Sequence, residues 1–137
     1  MRIIDFLGKL YSSEDLRGLY EKGLIEAEDI HQRDKKMTRG DAARFAHLYL
    51  RGIKKIPDLT DISKAEVVRD LYDCRVCANY IAQVFLRGVM SAKEIPGIVG
   101  DGEARFLFFD TKSGIDISEA GEIVEKLTGY KVVEIKK

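Results

Sequence analysis

The sequence predicts a mostly α-helical fold: two tandem helix–loop–helix repeats, about residues 1–56 and 57–137, packed as one domain with a short two-stranded β element. Three observations carry this prediction. Apolar residues recur at helical spacing along most of the chain. Hydroxyl or acidic caps precede these runs and glycines follow them. A ten-residue stretch also recurs, since Leu16-Arg17-Gly18-Leu19-Tyr20-Glu21-Lys22-Gly23-Leu24-Ile25 aligns without gaps on Ile81-Ala82-Gln83-Val84-Phe85-Leu86-Arg87-Gly88-Val89-Met90. The stripe positions are apolar in both copies, the glycines coincide after a basic residue, and two apolar residues follow each glycine. Beyond a loop, each copy opens a second helix with an apolar residue and a hydroxyl, in Met37-Thr38-Arg39-Gly40-Asp41 and Ile117-Ser118-Glu119-Ala120-Gly121. Self-similarity of this kind constrains a fold more than any single helix does.

Ile3, Ile4, Leu7 and Leu10 predict a first helix. Ser12 with Asp15 reads as a capping box that opens a second, whose buried stripe is Leu16, Leu19 and Tyr20 and whose end is Gly23. Glu26 to Lys36 reads as a polar loop. Thr38 with Asp41 caps a third helix with Ala42, Phe45, Ala46 and Tyr49 inward and Gly52 at its stop. Ser63 with Glu66 opens the second half, where Val67, Leu71, Cys74, Ala78, Ile81 and Phe85 predict one long helix, or two nearly collinear ones, up to Gly88. Ser91 and Glu94 suit a short turn before Pro96, and Gly97, Gly100 and Gly102 read as loop. Arg105 to Phe109 is strand-like. Ser118 is expected to cap the last helix, with Ile123, Val124 and Leu127 inward and Gly129 at its end. Val132, Val133 and Ile135 are expected to pair with the Phe106–Phe109 run.

Composition narrows the function classes. With 137 residues, 45% hydrophobic and 34% charged, the chain can build a core without staples. Its 23 basic and 23 acidic residues cancel, leaving no overall field for nucleic acid or anionic lipid. No stretch has the ~18 apolar residues of a membrane span, and the first residues do not read as a secretory signal. The expectation is a soluble protein, cytoplasmic as written, or at the cell surface if it derives from a longer exported precursor.

Several motifs bear on chemistry. Cys74-Arg75-Val76-Cys77 is a CxxC, but a redox pair wants its first cysteine at a helix N-terminus. The predicted helix puts both cysteines in its interior, so packing is the expected role, with a redox or metal-sensing function as the outside alternative. Zinc would need His31 and His47 to converge on that pair. Asp110-Thr111-Lys112-Ser113-Gly114-Ile115-Asp116 fails as a calcium loop because Lys112 and Gly121 stand where oxygen ligands belong. The glycines at 97, 100 and 102 lack the lysine and hydroxyl of a phosphate-binding loop. Arg39, Arg44, Arg51, Lys54 and Lys55 read as a solvated basic edge. No cofactor and no catalytic residue is expected, and the protein is predicted not to be an enzyme.

The repeat unit resembles the S-layer homology repeat, most closely in Met37-Thr38-Arg39-Gly40-Asp41-Ala42-Ala43-Arg44-Phe45-Ala46. The two copies together would cover most of residues 12 to 129. Members of that family anchor bacterial surface proteins to pyruvylated wall polymers. The resemblance therefore implies an acidic cell-wall polysaccharide as ligand, held by Thr38, Arg39 and Asp41 with the loop after Gly23. An arginine can grip a carboxylate through two parallel hydrogen bonds. The second copy carries Ser118 and Glu119 in place of threonine and arginine, and the chain has no tryptophan. These departures keep a second reading open: a protein–protein adaptor, of phage or mobile-element origin, that reuses the fold. Its contact surface would lie at Phe106, Leu107, Phe108 and Phe109, since such a run cannot all face one core. Homo-oligomers are compatible with either reading.

Overall fold

The computed structural model describes residues 1–13, 15–99 and 102–131. The protein is mostly helical, with a small antiparallel sheet. Helix α1 (Ile3–Tyr11) ends at Ser12, which takes a left-handed φ of 53°. Ser12 therefore closes α1 rather than opening the next helix. Asp15 performs that task, its Oδ1 accepting from the Gly18 amide at 3.1 Å at the head of α2 (Leu16–Glu21).

The segment expected to be a polar loop contains helix α3 (Ala27–His31), started by Asp29, whose carboxylate accepts from the Glu26 amide at 2.7 Å. Helix α4 (Arg39–Gly52) begins with the expected box. Thr38 Oγ1 accepts from the Asp41 amide, and Asp41 accepts from the Thr38 amide, each at 3.1 Å.

The long helix expected from Ser63 to Gly88 is broken. Short 3-10 turns at Ser63–Val67 and Leu71–Asp73 precede helix α5, which runs only from Arg75 to Leu86. The break has a specific cause: the backbone of 68–70 is bonded elsewhere. Val68 forms a parallel bridge with Leu107, and the Arg69 amide donates to the Leu107 carbonyl at 2.7 Å. The Asp70 carboxylate accepts from the amides of Phe109 and Asp110, at 2.7 and 2.8 Å. The register of burial shifts accordingly, with Val68 in the core and Val67 57% exposed.

Strands β1 (Lys93–Val99) and β2 (Gly102–Phe108) form an antiparallel hairpin in the register Lys93↔Phe108 to Val99↔Gly102. The expected loop at 97–102 and turn before Pro96 are thus largely strand. Pro96 sits in a strand with one described neighbour, where its missing donor is tolerated. The strand paired with Phe106–Phe108 is β1, and the expected partner at 132–135 lies outside the described residues.

Helix α6 (Ile117–Thr128) is capped by Asp116, whose Oδ1 accepts from the Glu119 amide at 2.7 Å, and not by Ser118. Asp116→Ala should therefore cost about 1 kcal/mol in urea unfolding, while Ser118→Ala stays within a few tenths. Equal losses at the two positions would return the cap to the serine.

Two helix ends close in the same way. Gly23 and Gly88 hold φ of 75° and 73°, where a side chain would be strained. The amides of Leu24 and Val89 reach back to the carbonyls of Leu19 and Val84, both at 3.0 Å. The apolar pairs Leu24–Ile25 and Val89–Met90 are buried. Two helix starts are also held alike: Ile3 and Ile4 donate to the carbonyls of Lys35 and Arg33, as Arg39 and Gly40 do to Ser113 and Thr111, at 2.8–3.0 Å throughout. The core runs from Ile3 to Leu127, with Phe6, Phe45, Phe109, Leu50, Ile81, Ile123 and Leu127 among its fully buried side chains. Phe6 of α1 stacks on Phe45 of α4, their ring centres 6.2 Å apart.

Candidate functional site

Four residues implied by the family resemblance meet three different fates. Thr38 and Asp41 form the cap of α4, and Asp41 also lies 3.8 Å from Arg44 and 3.9 Å from Lys35. Gly23 closes α2 and takes no part in the cavity beside α4 and α6. Arg39 does reach that cavity, of about 260 Å³, which it lines with Ser91, Glu119, Glu122 and Lys126.

Yet Arg39 is only 3% exposed, and every nitrogen of its guanidinium is engaged within the chain. Nε donates to the Phe109 carbonyl at 2.8 Å, and the terminal nitrogens donate to the Glu119 carboxylate and the Ser91 carbonyl. The guanidinium carbon also stands 4.9 Å from the Phe109 ring centre. The wall of the cavity is mixed in sign, with Arg39 and Lys126 against Asp116, Glu119 and Glu122. A ligand carboxylate would have to displace Glu119 to reach the arginine.

The aromatic run divides. Phe109 is fully buried beneath Arg39 and offers no contact surface, which corrects its place among the partner contacts. It follows β2, so the alternation that turns Phe106 and Phe108 to one side no longer governs it. Phe106 and Phe108 stay half-buried and line a shallow hollow with Arg69, whose guanidinium lies 4.2 Å over the Phe106 ring. That leaves an amphipathic patch of two aromatic faces and a cation.

The basic edge of α4 divides: Arg39 and Arg44 turn inward, while Arg51 and Lys55 stay exposed. Arg44 grips Asp29 through two parallel bonds of 2.8 and 2.6 Å, with Asp29 only 4% exposed. Burial pulls the Arg44 pKa down, but the hydrogen bonds and charge of Asp29, helped by Glu26 and Asp41, outweigh it and hold the cation above its ordinary value.

His47, also nearly buried, bonds through Nε2 to Asp58 at 2.7 Å. Asn79 donates to the other oxygen of Asp58 at 3.0 Å, and Gln83 ties Asn79 to both backbone groups of Leu59. Burial pushes the Asp58 carboxyl up, yet these bonds, with the charges of His47 and Arg51, hold it below the usual range. This network joins α4 to α5. Its one sequence signal was the pair Asn79 and Gln83, a helical turn apart on α5.

Cys74 and Cys77 are bonded to each other. Contrary to expectation, they sit at a helix start and not in a helix interior: Cys74 is the N-cap of α5 and Cys77 its third residue. His31 and His47 stand apart on α3 and α4, and no cluster of three metal-ligating side chains occurs among the described residues. Among those residues no helix is long and apolar enough to cross a membrane. No family model, no curated protein and no solved structure matches the chain.

Proposed function

We propose that the chain is a binding module of diverged repeats like those of the S-layer homology family, and that its ligand is a protein. The repeat reading is supported by a register two residues earlier than the one taken from sequence. Met37-Thr38-Arg39-Gly40-Asp41 then corresponds to Ile115-Asp116-Ile117-Ser118-Glu119: a buried apolar residue, a cap, two helical residues and an acid. The matched closures at Gly23 and Gly88 point the same way. Helix α1 opens on the same pattern, in Met1-Arg2-Ile3-Ile4-Asp5, and its first amides are bonded as those of α4 are. In this register Glu119 takes the place of Asp41, and Ile117, 66% exposed, takes the place of Arg39.

The observation that favours a protein ligand is the internal engagement of Arg39. The motif cation that would hold an acidic polymer is buried with three partners of its own. The patch of Phe106, Phe108 and Arg69 has the composition of a protein contact: aromatic surface beside an arginine.

The experiment is co-sedimentation with Gram-positive cell walls before and after acid stripping of their secondary polymers, beside affinity capture from source-cell extract. We expect no sedimentation with either wall preparation. We also expect a captured protein to be lost when Phe106→Asp and Phe108→Asp are combined. Sedimentation abolished by stripping would overturn the protein reading in favour of the acidic polymer.

A further inference from the structure

We propose that Cys74–Cys77 is a thiol–disulfide exchange site that oxidises a dithiol carried on a polypeptide. The two Cα atoms are 5.1 Å apart, within the span of a disulfide, and the bridge encloses a single helical turn. A bridge across so few residues constrains the unfolded chain least, so a stapling role explains it poorly. Helix α5 has its own means of staying in place, since Ala78, Ile81, Ala82 and Val84 are buried and Gln83 holds Leu59.

The position suits exchange chemistry. As N-cap, Cys74 offers its carbonyl to the amides of Cys77 and Ala78, at 3.1 and 3.0 Å. The earlier amides of the first turn, on Arg75 and Val76, have no carbonyl a turn behind them within the helix. They and the positive end of the helix favour a thiolate over a thiol at this place.

Access is also present. Both cysteines are half-buried, and Cys74 forms part of a surface cavity of about 270 Å³ with Asp70, Asp73, Asp110, Thr111 and Lys112. Two of those three acids have partners: Asp70 the amides of Phe109 and Asp110, and Asp110 the ammonium of Lys93 at 3.0 Å. Val76, between the cysteines, is 85% exposed, and Tyr72 just before them is 54% exposed. An exposed valine and an exposed tyrosine ring beside a reactive disulfide fit a polypeptide substrate better than a small thiol.

The step balances as follows. A substrate thiolate entering through the cavity attacks Cys74 Sγ, a substrate–Cys74 bond forms, and Cys77 leaves as a thiolate that takes a proton from water. The substrate's second thiolate then attacks its own bonded sulfur and expels Cys74, which is protonated in turn. The substrate loses two electrons and two protons as it closes its disulfide, and the cysteine pair gains them.

The test uses the oxidised full chain with two reductants, dithiothreitol and a short dithiol peptide rich in aromatic residues, followed by alkylation and intact mass. We expect both to reduce the bridge in the folded protein, with circular dichroism unchanged. Val76→Asp should slow the peptide roughly tenfold while leaving dithiothreitol unaffected. In Cys77→Ser, the Cys74 thiolate should attack the disulfide form of the same peptide, opening that bridge to leave a Cys74–peptide mixed disulfide and one free peptide thiol. A bridge that yields only in denaturant, or whose reduction unfolds the chain, would make it a staple and end the proposal. Equal peptide rates for Val76→Asp and the parent chain would end the polypeptide assignment.

Discussion

Arg39→Ala should lower stability by about 3 kcal/mol, at the lower end of the range for removing one partner from a buried ion pair. For a chain of this length that corresponds to a fall of roughly 12 °C in the thermal midpoint. The substitution removes the donors to Phe109, Ser91 and Glu119 together and strips the cation from the Phe109 ring. It leaves a carboxylate and two carbonyls facing the gap. Water can reach Glu119, whose side chain is 32% exposed, which is why the effect belongs at the low end. Calorimetry or urea unfolding measures it directly. Combining Arg39→Met with Glu119→Leu should recover most of the loss, because an apolar pair of similar volume removes the orphaned charge.

The same variant separates the two functional readings. If Arg39 is a ligand group, its alanine variant keeps the midpoint and loses only polymer binding. If Arg39 is a tie between α4, α6 and the segments flanking the hairpin, the midpoint falls first and any binding falls with it. A midpoint within 2 °C of the parent protein, at roughly 0.5 kcal/mol, would contradict the packing described here. The short sequence Thr38-Arg39-Gly40-Asp41 carries no sign of which outcome holds, since a motif arginine is written the same way whether it turns outward to a ligand or inward to Glu119.

What could be foreseen from sequence follows the range of the interactions involved. The box of Thr38 and Asp41, the glycine ends at 23 and 88 and the apolar face of α4 depend on residues a turn apart, and each was legible. The break at 68–70 was not. It comes from Leu107, Phe109 and Asp110, about 40 positions away, and no local pattern distinguishes Val67 from Val68 as the buried valine. That error then moved the cysteines: once the helix begins at Arg75, the CxxC passes from a helix interior to a helix start. The last cap failed for a smaller reason. Asp116 and Ser118 both qualify by residue type, and only Ile115, which is buried, decides between them.

Arg44→Ala should have the largest effect of a single charged substitution in the first half of the chain, about 3–5 kcal/mol. Asp29 is 4% exposed and its two oxygens take the bidentate grip of Arg44, while one of them also accepts from the Glu26 amide. With the arginine gone, a buried carboxylate keeps one backbone donor and no counter-charge. Asp29 is also the residue that starts α3, so the loss should be local before it is global. Hydrogen exchange in Ala27–His31 should speed up well before exchange in α4 does. Asp29→Asn alone should cost less, because a neutral amide can still accept from Glu26 and Arg44 and leaves no charge in the interior, only an arginine that is 17% exposed and within 4 Å of Glu26 and Asp41. The order of the two variants is the decisive result. Arg44→Ala milder than Asp29→Asn would mean that the pair serves to satisfy the arginine. The reverse order would make Arg44 the counter-charge that lets a polar stretch, legible only as loop, fold back onto α4 as a helix.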